Sequence, residues 1–115
     1  MNIDLKNVLI YIKPGPTDMR KQINSLSVFV AEEMNFDPLN GSLYIFCSKN
    51  RRCIKILYWD TNGFCLWQKR LEKENFPWPR NSDEAYEITR EQLLMLLHGI
   101  DFFRAHKKLI FSAVS

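Results

Sequence analysis

The stretch "RCIKILYWDTNGFCLWQKRL", Arg52 to Leu71, decides how this chain is read. Two runs rich in β-branched and aromatic residues, "CIKILYW" and "FCLWQKRL", flank "DTNG", and Asn-Gly between such runs is the strongest short-range signal for a β-hairpin. Tyr58, Trp59, Phe64 and Trp67 share this hairpin with Lys55, Lys69 and Arg70. Aromatics alone would read as core and cations alone as solvated surface. Interleaved, they have the composition of a nucleic-acid platform.

Which side chains share a face turns on one residue of register. If Asp60 to Gly63 closes as a type I turn with a glycine bulge, Trp59 lies near Cys65, Leu57 near Trp67 and Lys55 near Lys69. Ile54, Ile56, Tyr58, Phe64 and Leu66 then form a core face. Two lysines nearly opposite each other cost free energy unless an acid or a phosphate sits between them. Without the bulge, Trp67 and Lys69 move beside Ile56 and Tyr58, and the clean division into two faces is lost. Lysine stems packed along tryptophan rings are the alternative to a binding role.

Working toward the N-terminus, "LYIFCS" supplies a further strand, so 43–71 reads as an antiparallel meander whose first connection is "KNRR". Lys49, Arg51 and Arg52 stand at that hairpin tip without an acid among them, placed either to contact phosphates or to block edge pairing. Before it, "VLIYI" reads as a strand and "KPGPTD" as a turn into a helix, with Thr17 as N-cap and Asp18 in the first turn. Met19, Ile23, Leu26, Val30 and Met34 recur at helical spacing and form a core stripe. "FDPLNGS" ends this helix. Arg20 and Lys21 would fall in its first turn, where the dipole disfavours cations; the leading explanation is a salt bridge from Arg20 to Asp18 or to a distant carboxylate, the other a functional role.

Toward the C-terminus, "NFPWPRNSDE" is a proline-broken loop and "AYEI" a short strand. "TREQ" is a capping box of Thr89 with Gln92 that opens the helix "EQLLMLLHG", with Gly99 as its C-cap. "DFFRAHKKL" reads as a second short helix or turn. The expected architecture is therefore α+β: one domain over 1–115, with a small antiparallel sheet packed against an N-terminal amphipathic helix and a C-terminal helix.

Composition supports one soluble domain. The 115 residues are 46% hydrophobic and 25% charged, and sixteen basic against thirteen acidic side chains leave a net charge of +3. That excess is too mild to announce a nucleic-acid binder by itself, so distribution carries the argument: "KNRRCIK" is acid-free, whereas "AEEMNFD" and "NSDEAYE" concentrate the carboxylates. The apolar run at 8–12 is too short to span a bilayer and lacks a leader-peptide cleavage site, which predicts a cytoplasmic protein, nucleoid-associated if it binds DNA. Cys47, Cys53 and Cys65 form no C-x-x-C pair and read as reduced thiols rather than disulfides or metal ligands.

Enzymatic chemistry has little support. His98 and His106 are the only histidines, nucleophile-elbow, H-E-x-x-H and phosphate-loop motifs are all missing, and Asp18, Asp37, Asp60 and Asp101 read as cap or turn residues. No catalytic residue, cofactor or metal is predicted. A helix-turn-helix reading of "LLMLLHGIDFFRAHKKL" meets a solidly apolar first helix and too short a second.

The order and spacing of "DMRKQINSL", "FCSKNRRCIKILYWDTNGFCLWQKRLE", "FPWP" and "TREQLLMLLHGID" strongly resemble the TnpB-type accessory protein, the second reading frame of IS66-family insertion sequences. This is distinct from the RNA-guided nuclease that shares the TnpB label. The resemblance implies a bacterial transposition protein, encoded beside a larger transposase that carries the strand-transfer chemistry, and itself non-catalytic. It draws attention to Asp18, Arg20, Lys21, Lys55, Tyr58, Trp59, Asp60, Gly63, Trp67, Arg70, Leu71 and Gly99. Where many relatives follow "RK" with Asp-Gly-Leu, this chain has Asn24, Ser25 and Leu26. Two functions remain open. One is DNA binding, with Lys49, Arg51, Arg52, Lys55, Lys69 and Arg70 on phosphates and Trp59 or Trp67 stacking on bases. The other is an adaptor for the transposase without direct DNA contact. Transposon DNA, the transposase and a second copy of the chain are the expected partners.

Overall fold

The structure, a computed structural model, describes residues 7–80 and 85–101. Its elements in chain order are β1 (Ile10–Pro16), α1 (Ile23–Glu32), β2 (Leu43–Cys47), β3 (Cys53–Asp60), β4 (Gly63–Arg70), β5 (Tyr86–Ile88) and α2 (Arg90–Leu97). The strands make one sheet in the order β4-β3-β2-β1-β5. The meander of β2, β3 and β4 forms as its sequence predicts. The sheet as a whole is mixed, however, because β1 lies beside β2 in parallel while β5 pairs antiparallel to β1. Parallel neighbours need a long crossover, and α1 supplies it.

The hairpin register also differs from the bulged arrangement. Asp60 pairs with Gly63, Trp59 with Phe64, Ile56 with Trp67 and Ile54 with Lys69, leaving Thr61 and Asn62 as a two-residue loop. The left-handed residue of the turn is Thr61, at φ 51°, and Gly63 is not in that region. A glycine bulge requires the glycine there. Lys55 and Lys69 consequently project from opposite faces.

This register works because both faces are covered. Ile10, Ile12, Leu43, Ile45, Ile54 and Ile56 pack with Leu93 and Leu96 of α2 and with Phe76 and Trp78, and Trp67 and Tyr58 lie against that cluster. On the other face Tyr44, Phe46 and Leu57 pack with Leu26 and Val30 of α1, and Tyr11, Phe64 and Leu66 join them. Of the predicted stripe, Ile23, Leu26 and Val30 lie on α1, whereas Met19 and Met34 flank the helix and pack against the same cluster. A central strand sandwiched in this way shows continuous burial, as β2 does throughout and β3 does from Cys53 to Leu57.

Helix α1 starts later than expected. Its N-cap is Gln22, without a side-chain cap, and Asp18 to Lys21 form a separate turn closed by a 3.1 Å bond from the Lys21 N–H to the Asp18 carbonyl. Thr17 instead extends β1: its N–H donates to the Cys47 carbonyl, 2.8 Å away. The conflict between Arg20, Lys21 and the helix dipole therefore does not arise. At α2 the capping box of Thr89 and Gln92 is present, and Gly99 follows the C-cap His98 at φ 77°. The short helix or turn expected over 101–109 lies, beyond Asp101, outside the described residues.

The segment 76–80 straps the end of β1. The buried Trp78 indole donates to the carbonyls of Lys13 and Gly15, both at 3.1 Å, and the Gly15 N–H donates to Pro79 O at 2.8 Å. These contacts hold the irregularity in β1 between Ile12 and Pro16, where Gly15 adopts φ 75°.

Candidate functional site

The carboxyl ends of β1 and β2, the parallel pair, point to the same end of the sheet as the start of β3 and the finish of β4. Four chain segments therefore converge there. They border an open groove of about 1230 Å³ in which Arg20, Lys49, Arg52 and Arg70 meet Asp18 and Glu72. Crevices outside the carboxyl ends of parallel strands are where ligands of open sheets commonly bind.

The first contribution comes from the turn after β1. Asp18 accepts from the Arg20 backbone N–H at 2.9 Å and from its guanidinium at 2.7 to 3.1 Å, the salt bridge the sequence favoured. The side-chain hydrogen bond from Arg20, helped by its backbone N–H, holds the Asp18 carboxyl at about 2. The Arg20 side chain is nevertheless 91% exposed, so its outer edge faces solvent.

Residues 48–52 give the second. Ser48 N–H donates to Cys53 O at 2.9 Å, Arg51 N–H to Ser48 O at 3.0 Å, and Asn50 Oδ1 accepts from Arg52 N–H at 3.0 Å. Arg51 sits at φ 59°, a left-handed conformation uncommon outside glycine. Among the described residues, the Lys49 and Arg51 side chains have no hydrogen-bond or ion-pair partner. Arg52 reaches the Glu72 carbonyl at 3.3 Å, and Arg70 pairs with the Glu72 carboxylate at 3.2 Å. Among the described residues both carboxylates of the groove are thus engaged by an arginine two positions away, and the four cations retain a net excess.

The other sequence-selected residues lie elsewhere. Lys55 is fully buried under the Asp18–Lys21 turn, where its ammonium donates to Met19 O and Lys21 O, each at 2.8 Å. Lys69 lies on the opposite face and donates to Leu97 O at 2.8 Å, satisfying an end carbonyl of α2. Trp67 is half-buried against the α2-side core, and Trp59 packs edge-on against Phe64 beside the β3–β4 turn. Lys21 borders a separate recess near Phe29 and Glu33. Among the described residues no aromatic lines the groove, and Trp59 is at the other end of β3, roughly 20 Å away at 3.3 Å per residue. The sequence reading thus joined hairpin and loop into one platform, whereas the fold joins the loop to the "DMRK" turn and the end of β4.

Cys47 and Cys53 are buried, Cys65 is half-buried and all three are free thiols; burial pushes the Cys47 thiol up to about 12. Among the described residues, no group of three or more His, Cys, Asp or Glu side chains could hold a metal ion, and no helix is long and apolar enough to cross a membrane.

Comparisons with known proteins identify relatives and a family. The chain is 38% identical over 97 residues to uncharacterized protein y4hO of Sinorhizobium fredii, an alignment covering 84% of each. It is 29% identical over 103 residues to uncharacterized protein y4jC of the same organism, covering 90% of this chain and 88% of that one. No solved structure matches. Residues 8–107 match the family described as IS66 Orf2 like protein, and the chain belongs to this family of insertion-sequence accessory proteins.

Proposed function

We propose that the protein is a non-catalytic accessory factor of transposition that binds duplex DNA along its phosphate backbone through the groove at the carboxyl ends of β1 and β2. The observation that carries this reading is the convergence of Arg20, Lys49, Arg52 and Arg70 from three segments on one groove whose two carboxylates, among the described residues, are already paired. Arginine and lysine in this setting bind phosphate oxygens and release condensed counterions. A lining without aromatics among the described residues disfavours stacking on unpaired bases, the task first suggested for Trp59 and Trp67. Duplex backbone is the better fit.

Fluorescence anisotropy with a transposon-end duplex, a scrambled duplex and a single strand, each across a salt series, tests it. Duplex affinity should fall steeply with salt, and Lys49→Ala with Arg52→Ala should reduce the log–log slope by about two. Equal slopes for variant and wild type would remove the groove from the account.

An adaptor role has one observation in its favour. β4 is an eight-residue edge strand whose stretch from Phe64 to Trp67 carries no charge, and such edges accept an added strand. Capture of the transposase by the folded protein, lost when Leu66→Lys is placed on that strand while duplex binding persists, would support it.

A further inference from the structure

A second, smaller cleft lies across the 48–52 loop from the groove. Cys53 and Gln68, which border the groove, share the sheet face of α1, whereas Trp78, which floors the second cleft, packs on the face of α2. This cleft, of about 330 Å³, is lined by Lys49, Arg51 and Arg80 together with Asn50 and Gly15. Among the described residues, three cations face it and no carboxylate does, in contrast to the groove on the other side.

Its geometry is built by the backbone. Arg51 is held at φ 59° by its own N–H on Ser48 O and by the Phe76 N–H on its carbonyl at 2.6 Å. The Trp78 strap, through the bond from Gly15 N–H to Pro79 O, delivers Arg80 to the same place. A non-glycine residue in a sparsely populated conformation, lining one cleft with two other cations and, among the described residues, no acid, breaks local rules that chains break at functional sites. Guanidinium forks suit a tetrahedral oxyanion.

We infer that this cleft is a phosphate subsite, with Arg51 and Arg80 as its forks and Lys49 shared with the groove, so that a DNA backbone crosses the 48–52 loop and is held on both sides. The inference rests on the duplex-binding reading and adds Arg80 to it. The full chain carries the test. Arg51→Gly, which frees the backbone at φ 59°, combined with Arg80→Ala should lower the salt slope for duplex by about two, while Arg51→Lys with Arg80→Lys should keep it near wild type. An unchanged slope in the first variant overturns the subsite. In parallel, inorganic phosphate at constant ionic strength should shift the amide resonances of Gly15, Asn50 and Arg51 in wild type and leave them still in the Gly/Ala variant. If wild type binds no duplex, the proposed function falls and this titration alone decides: localised shifts keep a phosphate site, and their absence overturns it.

Discussion

The ammonium of Lys55 donates a 2.8 Å hydrogen bond to the carbonyl oxygen of Lys21, a residue 34 positions earlier, and a second to Met19. A buried ammonium is costly unless it is hydrogen-bonded, and here its partners are the two carbonyls that flank Arg20. Turning both inward leaves Arg20 to face out over the groove. Lys55→Met keeps the stem volume but strands two carbonyls, and should destabilise the fold by about 2 kcal/mol in urea denaturation. Amide exchange should accelerate selectively from Arg20 to Gln22. Uniform acceleration through β2 and β3 would show that Lys55 supports the sheet generally and not this turn.

Thr61 provides a direct check on the hairpin register. A β-branched residue at φ 51° is strained, so Thr61→Gly should stabilise the protein by about 1 kcal/mol. Gly63→Ala should be nearly neutral, within about 0.5 kcal/mol, because Gly63 is not left-handed and an added Cβ meets nothing within 4 Å. A bulged turn would reverse both results, since Gly63 would then need the left-handed region.

Why the sequence left this register open is itself physical. Strands, their order along the chain, the capping box at Thr89 and the stripe on α1 were legible because each depends on local propensity or spacing. Register stayed open between two arrangements, and the one separating Lys55 from Trp67 looked untidy only on the premise that one sheet face is covered. With α1 on one face and α2 and Trp78 on the other, both faces are apolar, and lysines appear on each only where a carbonyl receives them. The parallel placement of β1 was equally hidden, because nothing in "VLIYI" says which neighbour it takes. Arg80 was missed since its position depends on the Trp78 strap, and "FPWP" reads from sequence only as a broken loop.

The Asp18–Arg20 pair sets a pH expectation. Arg20 lowers the Asp18 carboxyl from its ordinary 3.8 to about 2 in the folded protein. A group with a depressed folded value contributes fully above its unfolded value and loses that contribution as pH falls through the folded one. The pair therefore stays intact at every pH above about 4, and any pH dependence of DNA binding near neutrality must arise elsewhere. Carboxyl carbon shifts should titrate at about 2 in wild type and return toward the ordinary range in Arg20→Ala. An Asp18 midpoint near 4 in wild type would mean that the pair does not persist in solution.

Trp78 ties the strap to the irregular end of β1, and its removal separates packing from hydrogen bonding. Trp78→Phe keeps most of the apolar contact with the α2-side core but withdraws the donor shared by Lys13 O and Gly15 O. Leaving buried carbonyls short of a partner costs about 1–2 kcal/mol, which in a chain of this size lowers Tm by roughly 5–10 °C. Trp78→Ala adds a cavity and should cost about 3–5 kcal/mol. Because Gly15 and Arg80 are both positioned through this strap, the Phe variant should also weaken the phosphate-induced shift at Gly15 while leaving Lys49 and Arg52 to support duplex binding. Equal Tm values for wild type and Trp78→Phe would show that the indole bonds contribute no net stability and that apolar packing alone holds the strap.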